Sequence, residues 1–349
     1  MRSKFFVWGG LISYPLYLWH WPIYSYAYIM EGGLPSSKAR VGIFLCSILL
    51  AWITYKFIET PVRKKNDSFA IPLLVLMTFI GIGGYALNQN WFTSSSAAGV
   101  DDTYISGEIG NDKFFEYMDQ NFYTCQPITL WTKLPKWKGE VRCKQSKEDR
   151  PVDFAIIGDS HAEHAFLGLA EELSNKNIAY YIIGNPLDGN KEFKEITSYV
   201  LENKNIKQVI LSAFWGTVQN SVPENSSFQI EMYKFANKFE GGTKKLYITD
   251  DVPLFSFLPR RCLDDNDFCS EDSVKNDKIY KDYMSTIRQV DEQYENTSIL
   301  EIYNKFCING KCNMAANGEL LFRDQGHLSI LGSKYAARIY NEQYPELNR

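Results

Sequence analysis

Two short motifs supply the side chains that turn a hydroxyl into a nucleophile. Gly158-Asp159-Ser160-His161 lies near the middle of the chain and Asp324-Gln325-Gly326-His327 near its end. A serine hydroxyl is too basic to attack an ester at neutral pH unless a neighbouring base takes its proton. His327 suits that task, because a free imidazole titrates at about 6.5. Asp324 can orient the ring and stabilise its charged form. Ser160 follows the apolar run Val152-Asp153-Phe154-Ala155-Ile156-Ile157 and precedes a helical pattern. That puts it at the carboxyl end of a strand, where open α/β sheets build their sites. Its backbone N–H, opening a helix, is a natural oxyanion donor. Metal ligation is not needed for this chemistry.

Each motif has a plainer reading. An Asp-Ser step at a strand–helix junction is often just a helix cap, and Asp324 suits an Asx turn. It is their occurrence together, at opposite ends of one α/β pattern, that points to catalysis. Asp159 reads as a support for its turn. His161 and His164 share one side of a helix and read as surface or packing residues.

The elements that must position these groups follow from Pro151 onward. Strand-like runs occur at Asp153–Ile157, Ala179–Ile183, Gln208–Ala213, Lys245–Thr249 and Ser298–Ile302. Helical patterns fall between them at Ala162–Leu173, Lys191–Glu202, Phe228–Phe239 and Ser273–Tyr294, with a last one at Ser329–Tyr344. Such alternation predicts an α/β fold, a parallel sheet sandwiched by helices.

The rest of the 349-residue chain differs in composition. Phe5–Met30, Val41–Ile58 and Ala70–Leu87 are apolar runs, each near the ~18–20 residues that cross hydrocarbon. The sequence therefore predicts three transmembrane helices ahead of the α/β domain. Arg2 and Lys4 precede the first run, and Arg63, Lys64 and Lys65 separate the second from the third. The positive-inside rule then leaves the chain after Asn88 outside the cytoplasm, although Lys38 and Arg40 count weakly against this. Trp19, Trp21, Tyr24, Tyr26, Tyr28, Trp91 and Phe92 suit an interfacial belt. A net charge of -4 gives no reason to expect a nucleic-acid partner.

Seven cysteines occur. Cys46 lies in an apolar run and reads as inert. The other six form close pairs, Cys125/Cys143, Cys262/Cys269 and Cys307/Cys312, as expected for disulfides in an oxidising compartment. Proximity favours these pairings, but the sequence allows other connectivities. Thr93–Gly107 reads as a flexible tether, and Asn111–Arg150 as an extension packed on the main domain and stapled by Cys125 and Cys143.

Gly158-Asp159-Ser160-His161 together with Asp324-Gln325-Gly326-His327-Leu328-Ser329 resembles the SGNH (GDSL-like) hydrolase superfamily, from about Pro151 to the end. The resemblance implies an SGNH-hydrolase-like, flavodoxin-like sheet with Ser160, Asp324 and His327 as the catalytic residues. It also implies an oxyanion hole made by Ser160 with Gly184 and Asn185, which follow the second strand. After the third strand, where that family places an asparagine, the chain reads Ala213-Phe214-Trp215-Gly216. Trp215 either packs there or offers a flat indole to a sugar ring, as a substrate-binding residue.

The N-terminal part is similar to a second family. Ile12-Ser13-Tyr14-Pro15-Leu16-Tyr17-Leu18-Trp19-His20-Trp21-Pro22 resembles the penultimate helix of an acyltransferase-3 membrane domain, and Phe57-Ile58-Glu59-Thr60-Pro61-Val62-Arg63 the end of its last helix. His20 reads as a hydrogen-bonded anchor within that motif, not a catalytic group. The whole order is similar to fused O-acetyltransferases that modify bacterial surface polysaccharides such as lipopolysaccharide O-antigen; the Cys307/Cys312 pair resembles them too. It divides the chain into an acyltransferase-3 remnant (1–65), a linking transmembrane helix (66–92), a linker and disulfide-stapled extension (93–150) and an SGNH domain (151–349).

Several expectations follow from this resemblance. The protein is expected in the inner membrane with its C-terminal domain in the periplasm. It would transfer an acetyl group through a Ser160 acyl-enzyme to a polysaccharide hydroxyl. Acetyl-CoA would be the ultimate donor, handled by a full acyltransferase-3 domain or a partner, because the early helices of that domain have no counterpart here. A carbohydrate acetylesterase and a non-catalytic, membrane-tethered glycan-binding module are the alternatives.

Overall fold

Runs of apolar and aromatic residues buried on both sides are what a parallel sheet between two helix layers requires. A computed structural model describes residues 4–31, 35–61, 70–88, 108–137, 140–262, 269–316 and 318–348. It divides into two compact units, Met1–Asp101 and Asp102–Arg349.

In the second unit the strands are β1 (Tyr123–Thr124), β2 (Cys143–Gln145), β3 (Phe154–Gly158), β4 (Ile178–Ile182), β5 (Gln208–Ser212), β6 (Lys245–Thr249) and β7 (Thr297–Leu300). They form one seven-stranded sheet in the order β1-β2-β4-β3-β5-β6-β7. The last five strands in sequence, β3 to β7, are parallel; β2 joins β4 antiparallel and β1 joins β2 antiparallel. β3 is flanked by β4 on one side and β5 on the other, so the winding direction reverses at its carboxyl end. That is the switch point where α/β sheets open a crevice. The sheet is therefore the parallel α/β sandwich that the sequence pattern predicts, with strands and helices where that pattern places them, to within three residues.

Alternation along the strands feeds two cores. Ala155, Ile157, Tyr181, Leu211 and Ile248 face one layer with Phe193, Met232 and Ile287. Phe154, Ile156, Tyr180, Ile210 and Tyr247 face the other with Phe166, Leu169 and Tyr340. The helices on the two faces are α4 (Glu108–Asn121), α5 (Ser160–Glu172), α6 (Lys191–Glu202), α7 (Phe228–Ala236), α8 (Val274–Gln293) and α9 (Ile330–Gln343), the three helices of the first unit being counted first. α4, α5 and α9 cover one face, and α6, α7 and α8 the other.

Two glycines allow the close approaches that set the site. A Cβ on Gly158 would lie 1.7 Å from the Ser212 carbonyl oxygen, so only glycine fits at that strand end. A Cβ on Gly168 would lie 1.9 Å from the Ser333 carbonyl oxygen. This lets α5, which begins at Ser160, pack tightly on α9, which begins just after His327.

All three disulfides form as proximity pairs them: Cys125–Cys143, Cys262–Cys269 and Cys307–Cys312. The first ties the end of β1 to the start of β2. The third closes a short hairpin in which Cys307 and Cys312 are register partners.

In the first unit, α1 (Lys4–Glu31), α2 (Ser37–Thr54) and α3 (Ala70–Asn88) stand where the apolar runs predict helices. α2 continues as a π-helical turn through Tyr55–Glu59. α1 and α2 pack together, and the Trp19 indole N–H donates to the Thr54 hydroxyl at 2.9 Å. Three spans are expected, yet among the described residues only Ser37–Glu59 is a helix long and apolar enough to cross a membrane. Leu74–Tyr85 is a shorter apolar stretch. α1 is long enough, but Tyr, Trp, His and Pro residues fill its second half and lower its apolarity. Arg2, the Arg63–Lys65 cluster, the Thr93–Gly107 tether, Trp91 and Phe92 lie outside the described residues.

Candidate active site

Ser160 opens α5 directly after β3. Asp159 caps that helix, accepting the His161 N–H at 2.8 Å through one oxygen. Its other oxygen accepts the Phe214 N–H at 2.8 Å, which ties the end of β3 to the end of β5. Loss of solvent raises the Asp159 pKa, against the pull of His161 and the two N–H donors. Asp159 thus holds the turn, as its sequence context predicts.

His327 arrives from the other end of the chain on a tight loop. Phe322 and Leu328 form an antiparallel bridge across it, and the Arg323 N–H donates to the His327 carbonyl at 2.9 Å. Asp324 accepts the Gly326 and His327 N–H groups at 2.9 and 2.8 Å. The loop is docked from outside by the Phe255 N–H, which donates to the Gln325 carbonyl at 2.8 Å. Ser329 then caps α9, accepting the Gly332 N–H at 3.1 Å. Each of these bonds fixes a rotatable part of the loop, so the imidazole is delivered to one place.

That place is beside Ser160. Its Oγ lies 2.7 Å from His327 Nε2, and His327 Nδ1 lies 2.9 Å from both Asp324 carboxylate oxygens. A carboxylate only accepts, so Nδ1 carries the proton and Nε2 is left to accept from the Ser160 hydroxyl. The Asp324 and His327 side chains remain 22 % and 29 % exposed, so a substrate can reach them. Burial works against the Asp324 charge, but the His327 hydrogen bond and charge and the two N–H donors outweigh it and hold the carboxyl far below its usual range. Burial lowers the His327 pKa; the Asp324 hydrogen bond opposes this, while His161 and Arg323 add to it. The net result is a base that is neutral at neutral pH.

A second histidine pair stands next to the first. His161 Nδ1 lies 2.6 Å from Asp251 Oδ1, and its ring centroid is 5.0 Å from that of His327. His161 is packed, as expected, but it is buried and not at the surface. Asp251 carries no sequence motif. The available signal was the Asp250-Asp251 step at the carboxyl end of a strand. His164 completes the cluster, accepting the Leu328 N–H on Nδ1 at 3.4 Å.

The remaining expected site residues fare differently. Gly184 lies two residues beyond Ile182, the register partner of Gly158, just past the carboxyl end of the strand next to the one that leads to Ser160. The Asn185 side chain is engaged in its own loop, donating to the Ser221 carbonyl at 2.9 Å and accepting the Leu187 N–H at 3.0 Å. Trp215 is not a substrate-facing residue. It is fully buried, its indole N–H donates to the Thr249 carbonyl at 2.6 Å, and its ring packs on Phe228. A sugar cannot stack on a ring enclosed by its own core.

A serine hydroxyl, an imidazole and a carboxylate in series at the switch point of a parallel sheet define a class of protein, the α/β acyl-transfer catalysts. Comparison gives the family. The family model described as "SGNH domain (fused to AT3 domains)" matches residues 128–342, more than half of the chain, and the chain belongs to that family. The O-acetyltransferase OatA of Staphylococcus aureus (strain MRSA252) is 47% identical over 84 residues, covering 20% of this chain and 14% of that protein. OatA of strain NCTC 8325 / PS 47 is 47% identical over 59 residues, covering 16% of this chain and 10% of its own length. The chain thus matches a small fraction of these relatives. The C-terminal catalytic domain of Streptococcus pneumoniae peptidoglycan O-acetyltransferase A is 14% identical with a TM-score of 0.34, over 56% of this chain and 92% of that one.

Proposed function

We infer that the protein is a membrane-anchored O-acetyltransferase module that works through an acyl-enzyme on Ser160. The observation that carries this reading is the 2.7 Å contact between Ser160 Oγ and His327 Nε2. In the first half-reaction the Ser160 oxygen attacks the acetyl carbonyl as its proton moves to His327. The negative charge on the carbonyl oxygen falls toward the Ser160 N–H, with Gly184 at the neighbouring strand end. His327 then gives its proton to the leaving group as the old acyl bond breaks. In the second half, His327 takes the proton of an acceptor hydroxyl, which attacks the acetyl-serine, and returns that proton to the Ser160 oxygen as the acyl–serine bond breaks. Asp324 stabilises the imidazolium each time.

The acceptor class we propose is a hydroxyl of a cell-surface polysaccharide such as lipopolysaccharide O-antigen. The O-acetyltransferase relatives and the fusion to acyltransferase-3 domains support it. The helices of the first unit would anchor the chain, as three spans, in the inner membrane with the SGNH domain in the periplasm. The acetyl group would come from cytoplasmic acetyl-CoA through an acyltransferase-3 domain. Water in place of the sugar gives acetylesterase activity by the same steps.

The test uses the full chain in detergent with a chromogenic acetyl ester. Wild-type protein should turn it over, Ser160→Ala should not, and added glycan should divert acetyl from water to the sugar. Equal silence of the two folded proteins would leave a glycan-binding module as the better reading.

A further inference from the structure

We propose that the buried His161–Asp251 pair is a positioning element of this site, a fixed imidazolium–carboxylate pair that keeps the neighbouring His327 neutral and ready to accept the Ser160 proton. The proposal rests on the acyl-transfer reading above and adds a residue to it.

The geometry comes first. His161 directly follows the nucleophile, and its side chain is 3% exposed against 2% for Asp251. Asp251 cannot turn away. Its Oδ2 accepts the Trp215 N–H at 3.2 Å, and its Oδ1 accepts the Val252 N–H at 2.7 Å as well as the His161 ring at 2.6 Å. It sits at φ 74°, in the left-handed region that Asp and Asn enter more readily than other non-glycine residues. Phe214 stacks on the other side of His161 at 5.3 Å. The imidazole is therefore clamped between a carboxylate, an aromatic face and His327.

Charge then decides which ring carries the extra proton. His161, His164 and His327 lie within 4.8 to 6.4 Å of one another, centroid to centroid, and three cations cannot share that space. The groups facing them are Asp159 at the end of β3, Asp251 after β6, and Arg323 and Asp324 on the His327 loop. Glu163 of α5 is paired with Arg142. Burial opposes charge on His161, but Asp251, Asp159 and Asp324 outweigh it and raise its pKa. His164 is driven well below the usual value by burial and by the other two rings and Arg323, consistent with its accepting role toward Leu328. A cation on His161 then penalises a second one on His327. The same cation also disfavours the imidazolium that forms during attack, so it acts on the plateau only modestly and in the opposite sense, and the midpoint of the acid limb is its signature.

Modification of Ser160 by methanesulfonyl fluoride, followed by mass spectrometry on the full chain in detergent from about pH 5 to pH 9, reads the base directly. The wild-type acid limb should have its midpoint below about 6.5. His161→Gln and His161→Phe both remove the charge but pack differently. Each should raise that midpoint by roughly one pH unit and leave the alkaline plateau within about fivefold. Asp251→Asn should shift it the same way and by less, and serves if His161→Phe does not fold. A midpoint that stays or falls in the folded variants overturns the proposal, even if the plateau drops, because a purely structural role changes the plateau alone. Absence of labelling in wild type, with Ser160→Ala equally unlabelled, is a different result. It removes the acyl-transfer reading and this proposal with it.

Discussion

Two histidine–aspartate pairs lie side by side, their imidazole centroids 5.0 Å apart, and they are built to opposite ends. His327–Asp324 is a local pair on one loop, about a quarter exposed, and the far nitrogen of its ring reaches a serine. His161–Asp251 joins residues 90 positions apart, and both side chains are almost fully buried. The first pair has a lowered imidazole pKa and the second a raised one. The side-chain types are identical, so the difference comes from the surroundings. Burial works against charge on both rings, but His161 faces three carboxylates, Asp251, Asp159 and Asp324, which together outweigh it. His327 has Asp324 alone on that side, with His161 and Arg323 adding to the effect of burial.

The sharpest break of the comparison is at the shared neighbour. Ser160→Ala should lower acetyl-ester turnover by about 10⁵-fold, or to the detection limit, because the remaining groups have no nucleophile to act on. Asp324→Asn should cost about 10⁴-fold by favouring the wrong imidazole tautomer. The corresponding change in the other pair, Asp251→Asn, should cost less than about tenfold, since it alters the pH response and not the nucleophile. Equal losses from Asp324→Asn and Asp251→Asn, measured at pH 8 in folded proteins, would erase the distinction between the pairs.

Stability should rank them the other way. An amide at position 251 places an NH₂ against N–H donors from Trp215, Val252 or His161, so Asp251→Asn should lower unfolding free energy by about 2–4 kcal/mol. Asparagine tolerates the left-handed backbone there, which isolates the electrostatic loss. The sign with pH follows from His161. Its folded pKa is raised, so the stability from the pair is fully present below about 6.5 and is lost as pH rises through the folded value. The difference in thermal midpoint between wild type and Asp251→Asn should therefore be largest at pH 6 and shrink toward pH 9.

How much of this was legible beforehand differs between the pairs for a physical reason. Ser160 and the Asp324–His327 loop are local motifs, and the α/β pattern places the strand end that carries the serine. Five parallel strands were legible because each is a run of apolar residues buried on both faces. β1 and β2, two and three residues long, are too short to show a period; β2 exists because β4 offers it an edge, and β1 because β2 offers one in turn. Asp251 meets His161 only when β6 folds two strands away from β3, a tertiary fact with no signature along the chain. The position of Trp215 at a strand end was readable, but whether its ring faced a substrate or the core depended on Thr249 and Phe228, which only the folded sheet brings near.

The smallest expected effect belongs to Trp215, and it tests which side of the comparison that residue joins. Its backbone N–H is held by Asp251 and its indole N–H by the Thr249 carbonyl, so it buttresses the buried pair and is remote from the acceptor. Trp215→Phe keeps an aromatic ring but leaves that carbonyl without its donor in the core. The expected loss is about 1–3 kcal/mol of stability, with the KM for a glycan acceptor unchanged within about twofold. A tenfold rise in that KM with little loss of stability would mean that the indole meets the sugar after all.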